Sequence, residues 1–371
     1  MGWTSSIERS SSSVVNLIDS VDATVRINDP TTIALVPHVP LDSIRQLGSY
    51  HLEEQLGSGG MGIVFAARDS KSGELFAIKI LRPSLIMDPE AKLRFSREAQ
   101  AMAMIGHQRI VPIVCVGEDR GIPYIVMPLL IGETLEDRLR KSSPLPCAEV
   151  IRLGIEIAEG LDAAHSHDLI HRDVKPANVW LEKPKDSVRL LDLGLARNLD
   201  RSSLLTDSGV IMGTPAFMSP EQARGARTDP RSDLFSLGCI MYQLATGVRP
   251  FEGPTSLNVL GQIENFHPMR VCARNPAIPS MLSNLIMELL AKNPKDRPDS
   301  ATTTIDRLQR IRAQDEPQRT PVVVAPPHTP IEIILPIAED VAEDEPRRQN
   351  WHWYAGIFLT LLASLWYLSW L

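Results

Sequence analysis

The stretch that decides the fold is HRDVKPAN, residues 171–178. It places a carboxylate, Asp173, an ammonium group, Lys175, and a carboxamide, Asn178, within six positions of one another. Taken singly, Asp173 and Asn178 are explained as well by turn capping, because short polar side chains often hydrogen-bond to nearby backbone. Taken together they offer a proton acceptor, a positive charge and an oxygen ligand on one loop. This combination indicates a catalytic loop only if other segments of the chain supply the remaining groups of an active site.

One matching segment is GSGGMGIV, residues 57–64, with glycines at Gly57, Gly59 and Gly62. This spacing lets a backbone approach phosphate groups closely. The residues after Gly62 continue as a strand, which favours a hairpin-like flap over the strand-to-helix turn of a dinucleotide-binding fold. No Lys-Ser or Lys-Thr pair follows the last glycine, so the segment is not a P-loop.

A lysine and a glutamate follow the glycine segment. Lys79 lies between two isoleucines in the apolar run ELFAIKIL, and Glu98 lies in a stretch with helical periodicity, residues 88–105. Singly, each is explained by a solvated surface charge. As a pair, a helix-borne carboxylate could hold a flexible lysine against the α and β phosphates of a nucleotide through an ion pair, so we favour the functional interpretation.

The order of these segments resembles the eukaryotic-like protein kinase family over about residues 50–312. The motifs are the glycine segment, AIK, the helix glutamate, HRDVKPAN and DLG at 192–194. The sequences of the motifs GSGGMG, HRDVKPAN, MSPEQARG and RSDLFSLG are most similar to those of bacterial membrane-anchored serine/threonine kinases. The resemblance implies an α+β, two-lobed protein kinase fold. The small lobe, residues 50–130, would be an antiparallel β-sheet with one helix, and the large lobe, residues 131–312, mainly helical.

The resemblance also implies roles in catalysis. Asp173 would accept the proton of the substrate hydroxyl, and Lys175 would neutralise charge on the transferred phosphoryl group. Asn178 and Asp192 would hold Mg²⁺, with Mn²⁺ as an alternative, and Lys79 would be held by Glu98. All five of Lys79, Glu98, Asp173, Asn178 and Asp192 are present, which argues against a catalytically dead relative.

Further roles concern nucleotide binding and structure. The family's ATP contacts fall on the flap, the sheet and the hinge: Leu56, Gly57, Ser58, Gly59, Gly60, Met61, Gly62, Val64, Ala77, Lys79 and Leu130. Pro128 is tolerated because its position needs only a carbonyl, whereas Leu130 must donate its N–H to adenine. Glu221 is expected to pair with Arg297, and Asp233 to anchor the catalytic-loop backbone, although a plain helix N-terminal acid explains Asp233 as well.

Control would come from the segment between Asp192 and Glu221. The resemblance implies that Arg172 pairs with a phosphate there, and that Thr214 contacts Asp173 and Lys175. The available acceptors are Ser202, Ser203, Thr206 and Ser208. We expect trans-autophosphorylation at Thr206 or Ser208, which requires self-association; an ordinary polar loop is the simpler alternative.

Composition limits the remaining choices. The chain has 371 residues and is 43% hydrophobic, which is enough for a large core, and 38 − 45 gives a net charge of −7 without any basic block, so no nucleic-acid partner is expected. Four cysteines without a C-x-x-C pair suggest neither a zinc site nor a disulfide framework. Strand-like runs dominate the first third of the domain and helical periodicity the rest.

Three segments flank the domain. Residues 1–48 are expected to be a flexible leader containing serine and proline, and residues 313–350 a proline-rich, acidic linker. Residues 351–371 are apolar with aromatic residues at both ends, which predicts a transmembrane helix; a buried terminal helix is the alternative. Arg347 and Arg348 before this span would keep the kinase domain in the cytoplasm of a single-pass protein of the cell membrane.

The sequence thus predicts an ATP- and Mg²⁺-dependent kinase acting on serine and threonine hydroxyls of proteins. The alternative is a membrane-bound scaffold that binds nucleotide and signals by interaction. A small-molecule kinase of similar fold is disfavoured by GTPAFMSPEQ, which in the family docks a peptide.

Overall fold

A computed structural model describes residues 44–59, 62–193 and 215–315. Its strands are β1 (Gln46–Leu47), β2 (Tyr50–Ser58), β3 (Gly62–Asp69), β4 (Leu75–Leu81), β5 (Cys115–Asp119), β6 (Ile122–Pro128), β7 (Gly132–Thr134), β8 (Val179–Glu182) and β9 (Ser187–Leu190). Its α-helices are α1 (Pro83–Ile86), α2 (Pro89–Ala103), α3 (Leu135–Lys141), α4 (Cys147–His165), α5 (Pro220–Ala223), α6 (Pro230–Thr246), α7 (Ser256–Asn265), α8 (Val271–Arg274), α9 (Ser280–Leu289) and α10 (Ala301–Asp315).

The small lobe is an antiparallel six-stranded sheet in the order β1-β2-β3-β4-β6-β5. Alternation along β4 decides which residues face the site, because successive side chains of a strand point to opposite faces. Ile78 and Ile80 join a separate apolar cluster with Leu47 and Val126. Ala77 belongs to the main core on the other face of the sheet, and Lys79, two residues on, shares that face.

The helix α2 packs on the sheet through Phe95, Ala99 and Met102. It starts at Asp88, whose side chain accepts a hydrogen bond from the backbone N–H of Glu90 at 2.9 Å and so caps the first turn. The predicted small lobe of one sheet with one long helix is therefore confirmed, with the short helix α1 added before α2.

The large lobe is built on α4 and α6, which pack on each other and are almost entirely buried along their apolar faces. Helix α10 lies along α4, α9 packs on α6, and the β8–β9 hairpin meets α4. Gly247 ends α6 with a φ of 81°, a left-handed conformation that glycine adopts without strain. This helical scaffold carries the loop that contains residues 171–178.

Two boundaries differ from the sequence-based expectation. The leader was expected to reach residue 48, but Ile44 and Leu47 are buried under the small-lobe sheet and Gln46–Leu47 pair with β2. The apolar run IVPIVCVGE, residues 110–118, is one of the strand-like runs of the first third, but it forms a strand only from Cys115, because the part before it is packed as a loop containing Pro112.

Candidate active site

Asp233 holds the catalytic loop. Its carboxylate, fully buried at the start of α6, accepts hydrogen bonds from the backbone N–H groups of His171 and Arg172, each at 2.8 Å. His165 Nε2 lies 2.8 Å from the same carboxylate. Arg172 has a φ of 62°, an uncommon conformation for a residue with a side chain, and these contacts fix it. The predicted anchoring role of Asp233 is confirmed, while its partner His165 was not predicted.

The three groups of the loop converge on Asp173. Lys175 Nζ lies 2.7 Å from Asp173 Oδ2, and Asn178 Nδ2 donates to the same oxygen at 3.0 Å and to the Asp173 carbonyl at 2.8 Å. Because its amide nitrogen is turned toward Asp173, Asn178 keeps its amide oxygen as the atom that could serve a cation. The spacing seen in the sequence therefore produces a single cluster.

Lys79 pairs with Asp192 and not with Glu98. Lys79 Nζ donates to Asp192 Oδ1 at 2.7 Å, and within the described residues Glu98 has no ion pair. The expected Lys79–Glu98 ion pair is therefore not formed in this structure. Asp192 lies two residues after the end of β9 in a left-handed conformation, with a φ of 50°. Its carboxylate, and not that of Glu98, accepts the hydrogen bond from the Lys79 ammonium group.

Electrostatics accompany this arrangement. Burial raises the pKa of Glu98 to about 7, although the charge of Lys79 opposes the rise. Burial would also raise the pKa of Asp192, but Lys79 outweighs it and holds the pKa of Asp192 below its ordinary value. Burial would lower the pKa of Lys79, yet the carboxylates of Asp192 and Glu98 raise it. Lys79 and Asp192 are therefore a charged pair, whereas Glu98 near neutral pH is divided between its protonated and ionised forms.

The oxygen donors fit a divalent cation. Asp192 is ionised and 44% of its side chain is exposed to the cleft, and the Asn178 amide oxygen is the second candidate ligand. Mg²⁺ commonly takes only one or two protein oxygens and completes its shell with phosphates and water. Accordingly, the described residues contain no group of three or more His, Cys, Asp or Glu side chains that could hold a metal alone.

The residues predicted to bind nucleotide lie mainly on neighbouring strands. Gly57 in β2 is opposite Val64 in β3, and Val64 is opposite Lys79 in β4. A side chain on Gly62 would meet the Ile80 carbonyl oxygen at 2.7 Å, so that position has no room for one. Leu56, Ser58, Gly59 and Ala77 lie on the same flap and strands, and Leu130 lies two residues after the end of β6. Gly60 and Met61 lie outside the described residues.

The large lobe is clamped by a buried ion pair. Arg297 donates to both carboxylate oxygens of Glu221, at 2.7 and 2.9 Å, and Ser232 Oγ donates to Glu221 at 2.7 Å. Burial would raise the pKa of Glu221, but the contacts with Arg297 and Ser232 hold it below its ordinary value. The predicted Glu221–Arg297 pair is confirmed. Gln222, which the sequence did not single out, donates to the Arg172 carbonyl at 2.8 Å and so ties this clamp to the catalytic loop.

The predicted regulatory sites on the segment between Asp192 and Glu221 stay predictions. Ser202, Ser203, Thr206, Ser208 and Thr214 all lie outside the described residues, as do the linker from residue 316 and the apolar segment 351–371. Among the residues that the structure describes, no helix is long and apolar enough to cross a membrane.

The two lobes, the glycine flap and the loop centred on Asp173 together have the architecture of a protein kinase domain. The protein kinase domain family model matches residues 50–307, and the chain belongs to this family.

Several characterised proteins are similar to it. It is 37% identical over 292 residues to the serine/threonine-protein kinase PknB of Mycolicibacterium smegmatis, covering 75% of this chain and 47% of that protein. It is 36% identical over 271 residues to the serine/threonine-protein kinase pkn3 of Myxococcus xanthus, covering 71% of this chain and 50% of that protein. This chain thus spans about half the length of these curated relatives.

A solved structure agrees with the fold. The crystal structure of the Mycobacterium tuberculosis PknI kinase domain superposes with a TM-score of 0.57 at 27% identity, covering 71% of this chain and 97% of that one.

Proposed function

We propose that the protein is a serine/threonine protein kinase that transfers the γ-phosphate of ATP to hydroxyl groups of protein substrates. The observation that carries the proposal is the cluster of Asp173, Lys175 and Asn178 on a loop whose backbone is fixed by Asp233. The similarity to proteins named serine/threonine-protein kinases supports the choice of acceptor.

Each residue has a defined part in the proposed reaction. Asp173 accepts the proton of the substrate hydroxyl, whose oxygen forms a bond to the γ-phosphorus while the bond from phosphorus to the β–γ bridging oxygen breaks. Lys175 stabilises the negative charge on the transferred group, and Lys79 binds the α and β phosphates. Asp192 and Asn178 would hold Mg²⁺, which supplies neutralisation of the phosphate charge. The products are a phosphoprotein and ADP.

The test is transfer of labelled γ-phosphate from ATP with Mg²⁺ to an acceptor protein and to the chain itself. Asp173→Asn is expected to lower the rate by about 100-fold or more, because it removes the general base. Asp306→Asn, an exposed carboxylate on α10 with the same change of charge, is the matched control and should retain the wild-type rate. Equal activity in wild type and Asp173→Asn would contradict the proposal.

The second candidate is a nucleotide-binding scaffold with little catalysis. The observation that favours it is the Lys79–Asp192 contact in place of an ion pair with Glu98. Binding of Mg²⁺ and ATP by the full chain without any phosphate transfer, including at high protein density on vesicles, would support the scaffold.

The proposal extends to regulation and location. Activation would follow trans-autophosphorylation at Thr206 or Ser208, and Arg172 would form an ion pair with the new phosphate group. The apolar segment 351–371 would anchor the chain in the cell membrane, with the kinase domain in the cytoplasm. Tethering supports the first idea because it raises local concentration. Mapping of phosphopeptides and flotation of the full chain with vesicles test the two parts separately; sites only outside residues 198–214, or no flotation, would contradict them.

A further inference from the structure

Arg82 connects the end of β4 to the tip of the glycine flap. Its Nε donates to the carbonyl oxygen of Gly59 at 2.5 Å, and its Nη2 donates to Ser58 Oγ at 2.9 Å. Arg82 directly follows Leu81, which pairs with Gly62 at the start of β3, while Ser58 pairs with Ile63 from the other side. The side chain therefore reaches from β4 past β3 to the end of β2.

This contact adds an attachment at the end of β2, beyond the pairing of Ser58 with Ile63. The backbone N–H of Gly59 donates to the Gly62 carbonyl at 2.8 Å, which closes the turn, but glycines keep more conformational freedom than any other residue. A guanidinium group is planar and places two donors in a fixed geometry, so it can fix a carbonyl and a hydroxyl together. The position of the flap relative to the strand that carries Lys79 is then set by Arg82.

Arg82 forms no ion pair with an acid in the part of the chain that the structure describes. Within the described residues no carboxylate lies within ion-pair distance of its guanidinium group, in contrast to Arg68 in the neighbouring strand β3, which pairs with Glu53 at 2.8 Å. An unpaired cation beside a phosphate-binding loop attracts a polyphosphate through the summed field of the site. Arg82 thus combines a positional and an electrostatic contribution.

We propose that Arg82 is a positioning residue for nucleotide binding: it holds the glycine flap in place through Gly59 and Ser58, and its free charge favours the polyphosphate over an uncharged nucleoside. This inference rests on the proposed function, because it assumes that the flap covers the phosphates of ATP. It concerns affinity for the phosphates and not the transfer step at Asp173.

The experiment is calorimetric titration of the full chain with two probes, the non-hydrolysable analogue adenylyl imidodiphosphate with Mg²⁺, and adenosine. Arg82→Ala is expected to weaken binding of the analogue about tenfold, since charge-assisted hydrogen bonds are lost, and to leave adenosine binding unchanged. Arg82→Lys keeps the charge but not the two-point contact and should recover part of the loss. Ser58→Ala should weaken the analogue by less than Arg82→Ala, because the Gly59 contact remains.

Arg120→Ala, in the turn between β5 and β6, is the matched control and should bind both probes as the wild type does. The proposal is overturned if Arg82→Ala binds the analogue with unchanged affinity, or if it loses affinity for the analogue and adenosine equally. If the wild type itself binds neither probe, the proposed function fails and this inference fails with it; if the wild type binds and Arg82→Ala matches it, the inference alone fails.

Discussion

The two sides of the cleft are held in very different ways. On the large-lobe side, the catalytic loop is fixed by the buried Asp233, and the adjoining clamp of Glu221 and Arg297 has its charges paired at 2.7 Å. On the small-lobe side, Glu98 is buried without an ion pair among the described residues, and the flap is held at its tip by one arginine. The large-lobe half is preorganised, whereas on the small-lobe side Lys79 contacts Asp192 and is also attracted electrostatically by Glu98.

The largest effect is expected from breaking the large-lobe clamp. Arg297→Ala leaves the Glu221 carboxylate buried without its partner and should lower the free energy of unfolding by about 3–5 kcal/mol. Chemical denaturation of the full chain measures this. Arg307→Ala removes a partly exposed arginine that also pairs with a glutamate, Glu288, and should cost less than about 1 kcal/mol. Similar losses in the two variants would remove the distinction between the two sides.

The small-lobe side should respond in activity instead. Lys79→Met removes the cation that we propose binds the phosphates, and we expect a fall in kcat/KM for ATP of about 100-fold, or roughly 2.7 kcal/mol in the activation barrier. The unfolding free energy should change less than in Arg297→Ala, because 44% of the side chain of Asp192, which loses its partner, is exposed. Kinetics and denaturation of the same preparation provide the check. A fall in stability as large as that of Arg297→Ala would contradict the comparison.

Asp233 tests the preorganised loop more gently. Asp233→Asn keeps the shape of the side chain but replaces one of the two acceptor oxygens by an NH2 group that cannot accept, so only one of the backbone N–H groups of His171 and Arg172 keeps its acceptor. We expect a loss of about 2 kcal/mol in unfolding free energy, together with slower phosphate transfer. Hydrogen exchange of the His171 and Arg172 amides locates the effect. Unchanged protection of these amides would show that Asp233 is not the anchor.

A different kind of test of the small-lobe side is the pH dependence of Glu98. Its pKa is raised by burial from 4.5 to about 7, so the folded state binds the proton more tightly than the unfolded state between these values. The wild type should therefore lose stability relative to Glu98→Gln as pH rises from 4.5 to about 7, and the difference should level off above. Thermal unfolding of both proteins over this range measures it. A difference that is constant with pH would show that Glu98 titrates normally.

Much of this contrast was accessible from the sequence. Apolar alternation predicted the strands β2 to β4, and helical periodicity predicted the helix that carries Glu98. The grouping of Asp173, Lys175 and Asn178 was predictable because residues close in sequence on one loop have few ways to avoid each other. The Glu221–Arg297 pair, 76 positions apart, was predicted from the family resemblance alone.

Other features depend on choices that only the tertiary structure makes. The carboxylates of Glu98 and Asp192 both raise the pKa of Lys79, and nothing in the sequence says which of them forms the ion pair. The roles of Arg82 and His165 arise from contacts across strands and helices, for which the local pattern carries no signal. The apolar residues Ile44 and Leu47 were a weak signal that the fold begins before residue 48.

We expect the small-lobe half of the cleft to rearrange when nucleotide binds, while the large-lobe half keeps its contacts. A crystal structure of the full chain with Mg²⁺ and adenylyl imidodiphosphate tests it directly. We predict that Lys79 Nζ lies within ion-pair distance of Glu98, that Asp192 faces the metal, and that Asp233 still accepts from His171 and Arg172. Lys79 still bound to Asp192 with Glu98 unpaired, or a catalytic loop released from Asp233, would contradict the account.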